Sequence, residues 1–302
     1  MRWILLVVVV LVLIYLWSSC LILYHEKTEK LAADESKCFS ERCRSIIIRQ
    51  GSEKAVLLIH GFPTTPAMYS YASERLKAEG WDVYAPLIPT FGADWHDFEK
   101  TNFSSWYAWI EEYYRNLRKS YKTLCVIGTS MGGAMTLKLA EREKPDAIVT
   151  VGAPVVYNSF FRYHVITQWG AYFGRIIALF TPSIGAGIVE GKPNSNDGNE
   201  EWLGYKGQFP AQGISLIWNL KPIKKGLSTI TCPLLSIHDK GDKTVPFANQ
   251  SIIKEHVKSD AEYIATEMGP ECHHTHHALL MYHSIQSELM DRIISFFSSH
   301  GL

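Results

Sequence analysis

Neither sign of charge prevails in this chain: 30 Lys and Arg stand against 30 Asp and Glu in 302 residues, a formal net charge of zero. Without a positive excess there is no electrostatic footprint for a polyanion, which excludes nucleic acid as the main partner. Internal repeats and long low-complexity tracts are missing, which excludes a solenoid. Cysteine is scarce, six in all. Cys20, Cys125 and Cys232 sit among apolar neighbours and read as small apolar side chains. Cys38 and Cys43 lie close together in a polar stretch and can pair in an oxidising compartment. No second pair stands near them, so they make no metal site. Apolar side chains, by contrast, make up 47% of the chain, enough for one large α/β domain or two small ones.

Charge is absent altogether from residues 3–24, which are mostly Leu, Val and Ile. About twenty such residues span a bilayer core as a helix, so residues 1–25 are expected to form a transmembrane anchor. The apolar run continues through Leu21-Ile22-Leu23-Tyr24 past the only small residues, which favours an uncleaved anchor over a cleaved signal. Ser18-Ser19-Cys20 keeps a lipoprotein signal as an alternative, although Trp17 stands where Leu is wanted. A single N-terminal segment of this kind most simply exports the chain attached to it, placing residues 26–302 on the outer, periplasmic or extracellular side. Residues 26–43 read as a polar stem.

From residue 44 to 302 strands and helices alternate. Strands are expected over 45–49, 55–59, 81–85, 124–127, 147–151, 233–237 and 262–266, and helices over 67–79, 104–121, 134–143, 247–257 and 284–297. That alternation means a mainly parallel sheet with helices on both faces, where reactive residues collect at the C-terminal strand ends. Residues 154–231 interrupt the pattern. They are rich in aromatics, namely Phe160, Phe161, Tyr163, Trp169, Tyr172, Phe173, Phe180, Trp202, Phe209 and Trp218. Most of these are expected to fix small helices to the sheet, with a few facing inward to line an apolar pocket.

Three strand ends carry chemistry. Leu124-Cys125-Val126-Ile127-Gly128-Thr129-Ser130-Met131-Gly132-Gly133 runs from a β-branched strand through G-x-S-x-G into a helix, the context of a nucleophile elbow. A nucleophile on so sharp a turn needs neighbours without bulk, supplied by Gly128 and Gly132, and the helix N-terminus beyond offers N–H groups to an oxyanion. The loop after residues 55–59 reads His60-Gly61-Phe62-Pro63, and the Phe62 and Met131 N–H groups are the expected oxyanion donors. His60 itself reads as a structural hydrogen-bonding histidine. After residues 233–237 comes His238-Asp239-Lys240-Gly241-Asp242, ahead of Val245-Pro246; Asp242 suits the carboxylate that orients a histidine, with Asp239 as competitor. Before the last helix stands Cys272-His273-His274-Thr275-His276-His277-Ala278. Here a base following Ser and Asp in chain order belongs, and a His-rich metal tract is the alternative.

With these motifs the chain resembles the α/β-hydrolase superfamily, and within it the bacterial carboxylesterase and monoacylglycerol-lipase branch, over roughly residues 44–299. His60, Gly61, Phe62 and Pro66 match that branch's H-G-F-x-x-x-P; Gly128, Ser130, Gly132 and Gly133 match its G-x-S-x-G-G; Asp242, Val245 and Pro246 match its acid motif. Its S-x-H followed by a small apolar run is imitated by Thr275 to Leu280, which selects His277. Where the branch often has an acidic residue a few positions later, Tyr282 and His283 stand here, so His276 and His274 stay in contention. The resemblance implies an α/β-hydrolase fold with a cap over 154–231 and a serine esterase using Ser130, Asp242 and His277. It further implies a short- to medium-chain acyl ester or monoacylglycerol as small-molecule substrate, and neither cofactor nor metal. Thioesterase, acyltransferase or peptidase activity would use the same residues; a silent membrane-tethered binding module is the reading from another class.

Overall fold

The computed structural model describes residues 2–19, 22–159, 165–166, 172–191, 197–198, 202–269 and 274–302. A helix, α1 (Arg2–Ser18), precedes the body. The body opens with β1 (Ile46–Ile48), β2 (Lys54–Ile59), α2 (Ser70–Ala78), β3 (Asp82–Ala85), α3 (Trp95–Phe98), α4 (Phe103–Arg118), β4 (Thr123–Thr129), α5 (Met131–Glu143) and β5 (Ile148–Val151). A cap comes next, with β6 (Asn158–Ser159), β7 (Val165–Ile166), α6 (Gly174–Phe180), β8 (Ile184–Val189), β9 (Gly204–Gln208) and α7 (Pro210–Gly226). The body then resumes through β10 (Leu234–Asp239), α8 (Ala248–His256), β11 (Ala261–Thr266) and α9 (Gln286–Ser299).

Seven strands form one sheet in the order β1-β3-β2-β4-β5-β10-β11. Only β1 is antiparallel to its neighbour; the other pairs are parallel. Side chains alternate between two cores. Ala55, Leu57 and Ile59 of β2 and Leu124 and Val126 of β4 face the side covered by α4, α5, α7 and α8. Val56, Leu58, Cys125 and Ile127 face the side covered by α2 and α9. Both faces exclude water, which is why these strands are continuous apolar runs in the sequence and not alternating ones.

Helix starts differ from the sequence pattern where local hydrogen bonding decides. The helix expected from Ser104 begins at Phe103, because the Asn102 side chain accepts from the Ser105 N–H at 2.9 Å. The expected helix over 67–79 divides into a 3-10 turn, Pro66–Tyr69, and then α2. In the cap, β8 and β9 pair antiparallel, and α6 packs so closely on α7 that a side chain at Gly174 would lie 2.6 Å from Ile214 Cδ1. Of the cap aromatics, Phe160, Phe161, Tyr163 and Trp169 lie outside the described residues. Phe209 is buried in the α4–α5 core, Trp202 packs against the other core, and Phe173 and Phe180 are exposed.

The N-terminal helix is shorter than its apolar sequence. Its 17 residues, at about 1.5 Å each, reach roughly 25 Å against a hydrocarbon core of about 30 Å. Among the described residues no helix is long and apolar enough to cross a membrane. The expected single-pass anchor over 1–25 is corrected accordingly, and the sidedness drawn from it loses its basis. The chain turns back at Leu23 (φ +53°), and Tyr24 joins the body, its ring 5.1 Å from Trp218 and its hydroxyl donating to Glu26. Arg175 of α6 meets the helix end: its Nη1 donates to the carbonyls of Trp17 (3.1 Å) and Ile22 (3.3 Å), and the guanidinium lies 4.1 Å over the Trp17 ring. The Trp17 carbonyl is one that a helix terminus leaves without a partner of its own. The stem is bound as well. Glu26 accepts from Ser104 and Asn219, the Glu29 N–H donates to Ser105 Oγ, and Asn102 Nδ2 donates to the Lys27 carbonyl. Within it Cys38 and Cys43 are free thiols, which burial pushes up to about 11 and about 12, so both stay protonated.

Candidate active site

The link between β4 and α5 is one residue long. Ser130 takes φ +58° and ψ −121°, a conformation that side-chain-bearing residues seldom adopt, and α5 opens directly after it at Met131. The expected start at Ala134 is therefore too late by one turn. The glycines around Ser130 are required by contact. A side chain at Gly132 would lie 1.9 Å from the Ile59 carbonyl oxygen, and one at Gly128 would lie 2.2 Å from the Gly132 carbonyl oxygen. Gly133 faces Ala153 at 2.7 Å by the same construction. The Ser130 N–H donates to the Val151 carbonyl (2.8 Å), which ties the turn to the end of β5.

The next residue, Gly152, has φ +57°, and a side chain there would meet His277 Nδ1 at 3.0 Å and Asp242 Oδ2 at 3.3 Å. Asp242 and His277 thus lie against Gly152 at the end of β5, one residue beyond the carbonyl that holds the Ser130 N–H. His277 Nδ1 and Asp242 Oδ2 are 2.6 Å apart, while His277 Nε2 is buried and has no hydrogen-bond partner among the described residues. With Nδ1 donating to the carboxylate, Nε2 is the basic nitrogen. The other carboxylate oxygen, Oδ1, accepts from the Thr244 and Val245 N–H groups, each at 2.8 Å. Burial would raise the Asp242 carboxyl, but the facing His277 and the bonds from His238 and His277 outweigh it and hold it at about 2. Asp242 is therefore a carboxylate at any pH at which the protein would work.

The neighbouring histidines face other acids. His276 Nδ1 lies 3.3 Å from Asp239 Oδ1, and His274 Nε2 bonds Asp197 Oδ2 at 2.9 Å while its ring stacks on Tyr282 at 3.6 Å. His273 lies outside the described residues. Asp239, the competitor for the acid position, is fully buried and already accepts from Gly241 N–H, Thr266 Oγ1 and Met268 N–H. Two residues near the pair escaped the sequence reading. One is Gly152, which looked like an ordinary strand end. The other is His238, whose Nε2 donates to the Val245 carbonyl at 2.9 Å and sits 3.2 Å from Asp242 Oδ2. Its place four residues before Asp242, at the end of a buried strand, was the signal that could have found it.

His60 is structural, as its position suggested. Its Nδ1 bonds the Gly61 carbonyl (3.0 Å) and its Nε2 accepts from the Ile88 N–H (3.1 Å), fixing the loop that carries Phe62. Complete burial lowers its pKa to about 4, the Gly61 bond opposing only in part. The folded pKa is thus below the unfolded value near 6.5, so this group's contribution is whole above about 6.5 and is lost as pH falls toward 4. Urea unfolding should accordingly show stability falling by on the order of 2–3 kcal/mol between those pH values, and His60→Gln should flatten that slope.

A cavity of about 510 Å³ opens on Ser130, with Phe62 and Pro63 on the body side and Tyr157, Ile177, Phe209, Ile214 and Ile217 from the cap. No charged side chain lines it among the described residues.

A serine at a strained strand-to-helix turn, beside a buried Asp–His pair, on a seven-stranded mainly parallel sheet is the setting in which the comparisons fall. The sequence model described as serine aminopeptidase, S33 (Hydrolase_4) matches residues 50–280. The chain belongs to that family. A thermostable monoacylglycerol lipase of Bacillus sp. (strain H-257) is 29% identical over 248 residues, 82% of this chain and 91% of that protein. A carboxylesterase of Bacillus subtilis (strain 168) is 29% identical over 213 residues, 70% of this chain and 81% of that one. Among solved structures, the monoacylglycerol lipase of Paleococcus ferrophilus superposes with a TM-score of 0.64 at 17% identity, covering 85% of this chain and 98% of that one. A chain from work on the metagenome-derived lipolytic enzymes LipS and LipT gives 0.68 at 21%, covering 86% and 99%. The fold is the α/β-hydrolase fold, and the chain is a serine hydrolase of the esterase and lipase kind.

Proposed function

We propose that this hydrolase cleaves carboxylic esters of short- to medium-chain acids or monoacylglycerols, with Ser130 as nucleophile, His277 as base and Asp242 as its orienting acid. The observation that carries the assignment is the 2.6 Å His277–Asp242 bond, with His277 Nε2 buried and without a partner among the described residues. His277 takes the Ser130 proton as Oγ attacks the ester carbonyl, and Asp242 stabilises the imidazolium. The Phe62 and Met131 N–H groups hold the tetrahedral oxyanion, His277 returns the proton to the leaving alcohol, and water releases the acid by the same steps. No cofactor enters this sequence.

The cavity supports esters over peptides. An aminopeptidase must bind a free ammonium group, and the described lining offers no carboxylate for it. Apolar walls favour an acyl chain instead. Each methylene that fits should gain up to about 0.8 kcal/mol in transition-state binding, until the chain reaches the cap. A series of p-nitrophenyl esters from acetate to palmitate should therefore rise in kcat/KM and then fall. A monotonic rise to palmitate, or turnover confined to aminoacyl amides, would overturn the assignment. We also read α1 as buried in lipid, since it is apolar throughout and the body leaves nearly all of it uncovered.

A further inference from the structure

We propose that the exposed face of α6, with α1 clamped to it, is a docking surface for a lipid bilayer, so that the helix walling the acyl cavity rests on the membrane holding the substrate. The proposal rests on the ester-hydrolase reading and names where its substrate comes from.

A first tie to lipid is the exposure of α1. Every residue from 3 to 15 is at least 42% exposed, and consecutive residues of a helix point to all sides. A protein partner, a second copy included, would cover one stripe of such a helix. A lipid medium covers an apolar helix around its whole circumference.

The joint between α1 and the cap supplies another. Arg175 bonds the Trp17 carbonyl in the last turn of α1 and the Ile22 carbonyl just beyond it and lies over Trp17, and Tyr15 stacks on Tyr172 with centroids 5.9 Å apart. On its opposite side α6 is seated against α7 through Gly174, and Gly174 and Ile177 line the cavity that opens on Ser130. The helix is held between the lipid-seeking segment and the substrate site. The stem bonds through Glu26, Lys27 and Glu29 keep α1 from swinging freely about this joint.

The surface beside the joint matches a membrane interface. Leu179 and Phe180, at the free end of α6, are 70% and 84% exposed, with Ile184 and Ile188 of β8 also exposed just beyond. From Ala147 to Val189 the chain contains no Asp or Glu, and its only formal charges are Arg162 and Arg175. An apolar segment without acids suits a bilayer containing anionic lipid.

The test uses the full chain, phosphatidylcholine–phosphatidylglycerol vesicles carrying 1-monolauroylglycerol, and p-nitrophenyl butyrate in vesicle-free buffer. The double variant Leu179→Ser, Phe180→Ser should keep the soluble activity within about twofold, still float with vesicles through α1, and lose about tenfold or more in turnover of the vesicle-borne ester. Arg175→Gln should show the same split, because it frees α6 from α1 without touching the cavity wall. Leu5→Asp with Val9→Asp should abolish flotation. Equal losses on both substrates, no loss on either, or failure of the wild type to float would each overturn the proposal. A wild-type dimer that the double variant dissociates would also overturn it, assigning the surface to a second copy. Flotation needs no turnover, so a wild type that floats but leaves the soluble ester intact would strike the hydrolase reading alone.

Discussion

Ser130→Ala is expected to lower kcat/KM for a simple p-nitrophenyl ester by about 10⁴- to 10⁶-fold while leaving the fold unchanged. The fold survives because alanine meets the same backbone demand at φ +58° that serine already meets, and the Ser130–Val151 backbone bond does not involve the hydroxyl. Activity falls because the Ser130 hydroxyl is the one at the start of α5, where Gly61 brings the Phe62 loop alongside, whereas the neighbouring Thr129 hydroxyl is held by Tyr69. A fluorophosphonate probe should label the wild type and not the variant. A variant that retained more than a tenth of wild-type activity, or was still labelled, would remove Ser130 from the mechanism.

The second large effect separates the histidines. His277→Ala should match the serine defect, whereas His276→Ala and His274→Ala should cost far less, since these face Asp239 and Asp197 and not Asp242. For the acids, Asp242→Asn should lose about 10⁴-fold by presenting a donor to Nδ1 and so favouring the wrong tautomer. Asp239→Asn should act chiefly on stability, because it disturbs a buried carboxylate with three other donors. Thermal unfolding of each variant beside its kinetics distinguishes the two kinds of loss. An inactive His274 variant with an active His277 variant would move the base.

The sheet and the elbow were legible because each rests on a local rule. Strands buried on both faces are continuous apolar runs, and a backbone held at positive φ between a strand and a helix leaves G-x-S-x-G behind. Asp242 and His277, which the fold pairs, stand out in the sequence as positions after a strand and before a helix. The choice among four histidines was not, because it depends on which carboxylate each ring meets across the sheet. His238 and Gly152 were missed for the same reason: their importance lies in contacts with residues distant in sequence. The end of α1 was misjudged because hydropathy registers how apolar a segment is and not where a partner halts it. Arg175, more than 150 positions away, meets the Trp17 carbonyl in the last turn of the helix and the Ile22 carbonyl beyond it.

Asp197 belongs to the cap, yet it accepts from His274, from the Ser284 N–H and from the Ser284 hydroxyl, all on the segment that carries His277. The position of the cap is therefore written into the position of the proposed base. A cap that lifted as one piece would withdraw three hydrogen bonds from the loop on which His277 stands, so a site open enough to exchange its contents would be one whose base is less firmly held. A cap that instead hinged short of Asp197 would leave those bonds in place. The hydrolase would then keep its proton acceptor in register throughout the cycle, and only the apolar wall would move.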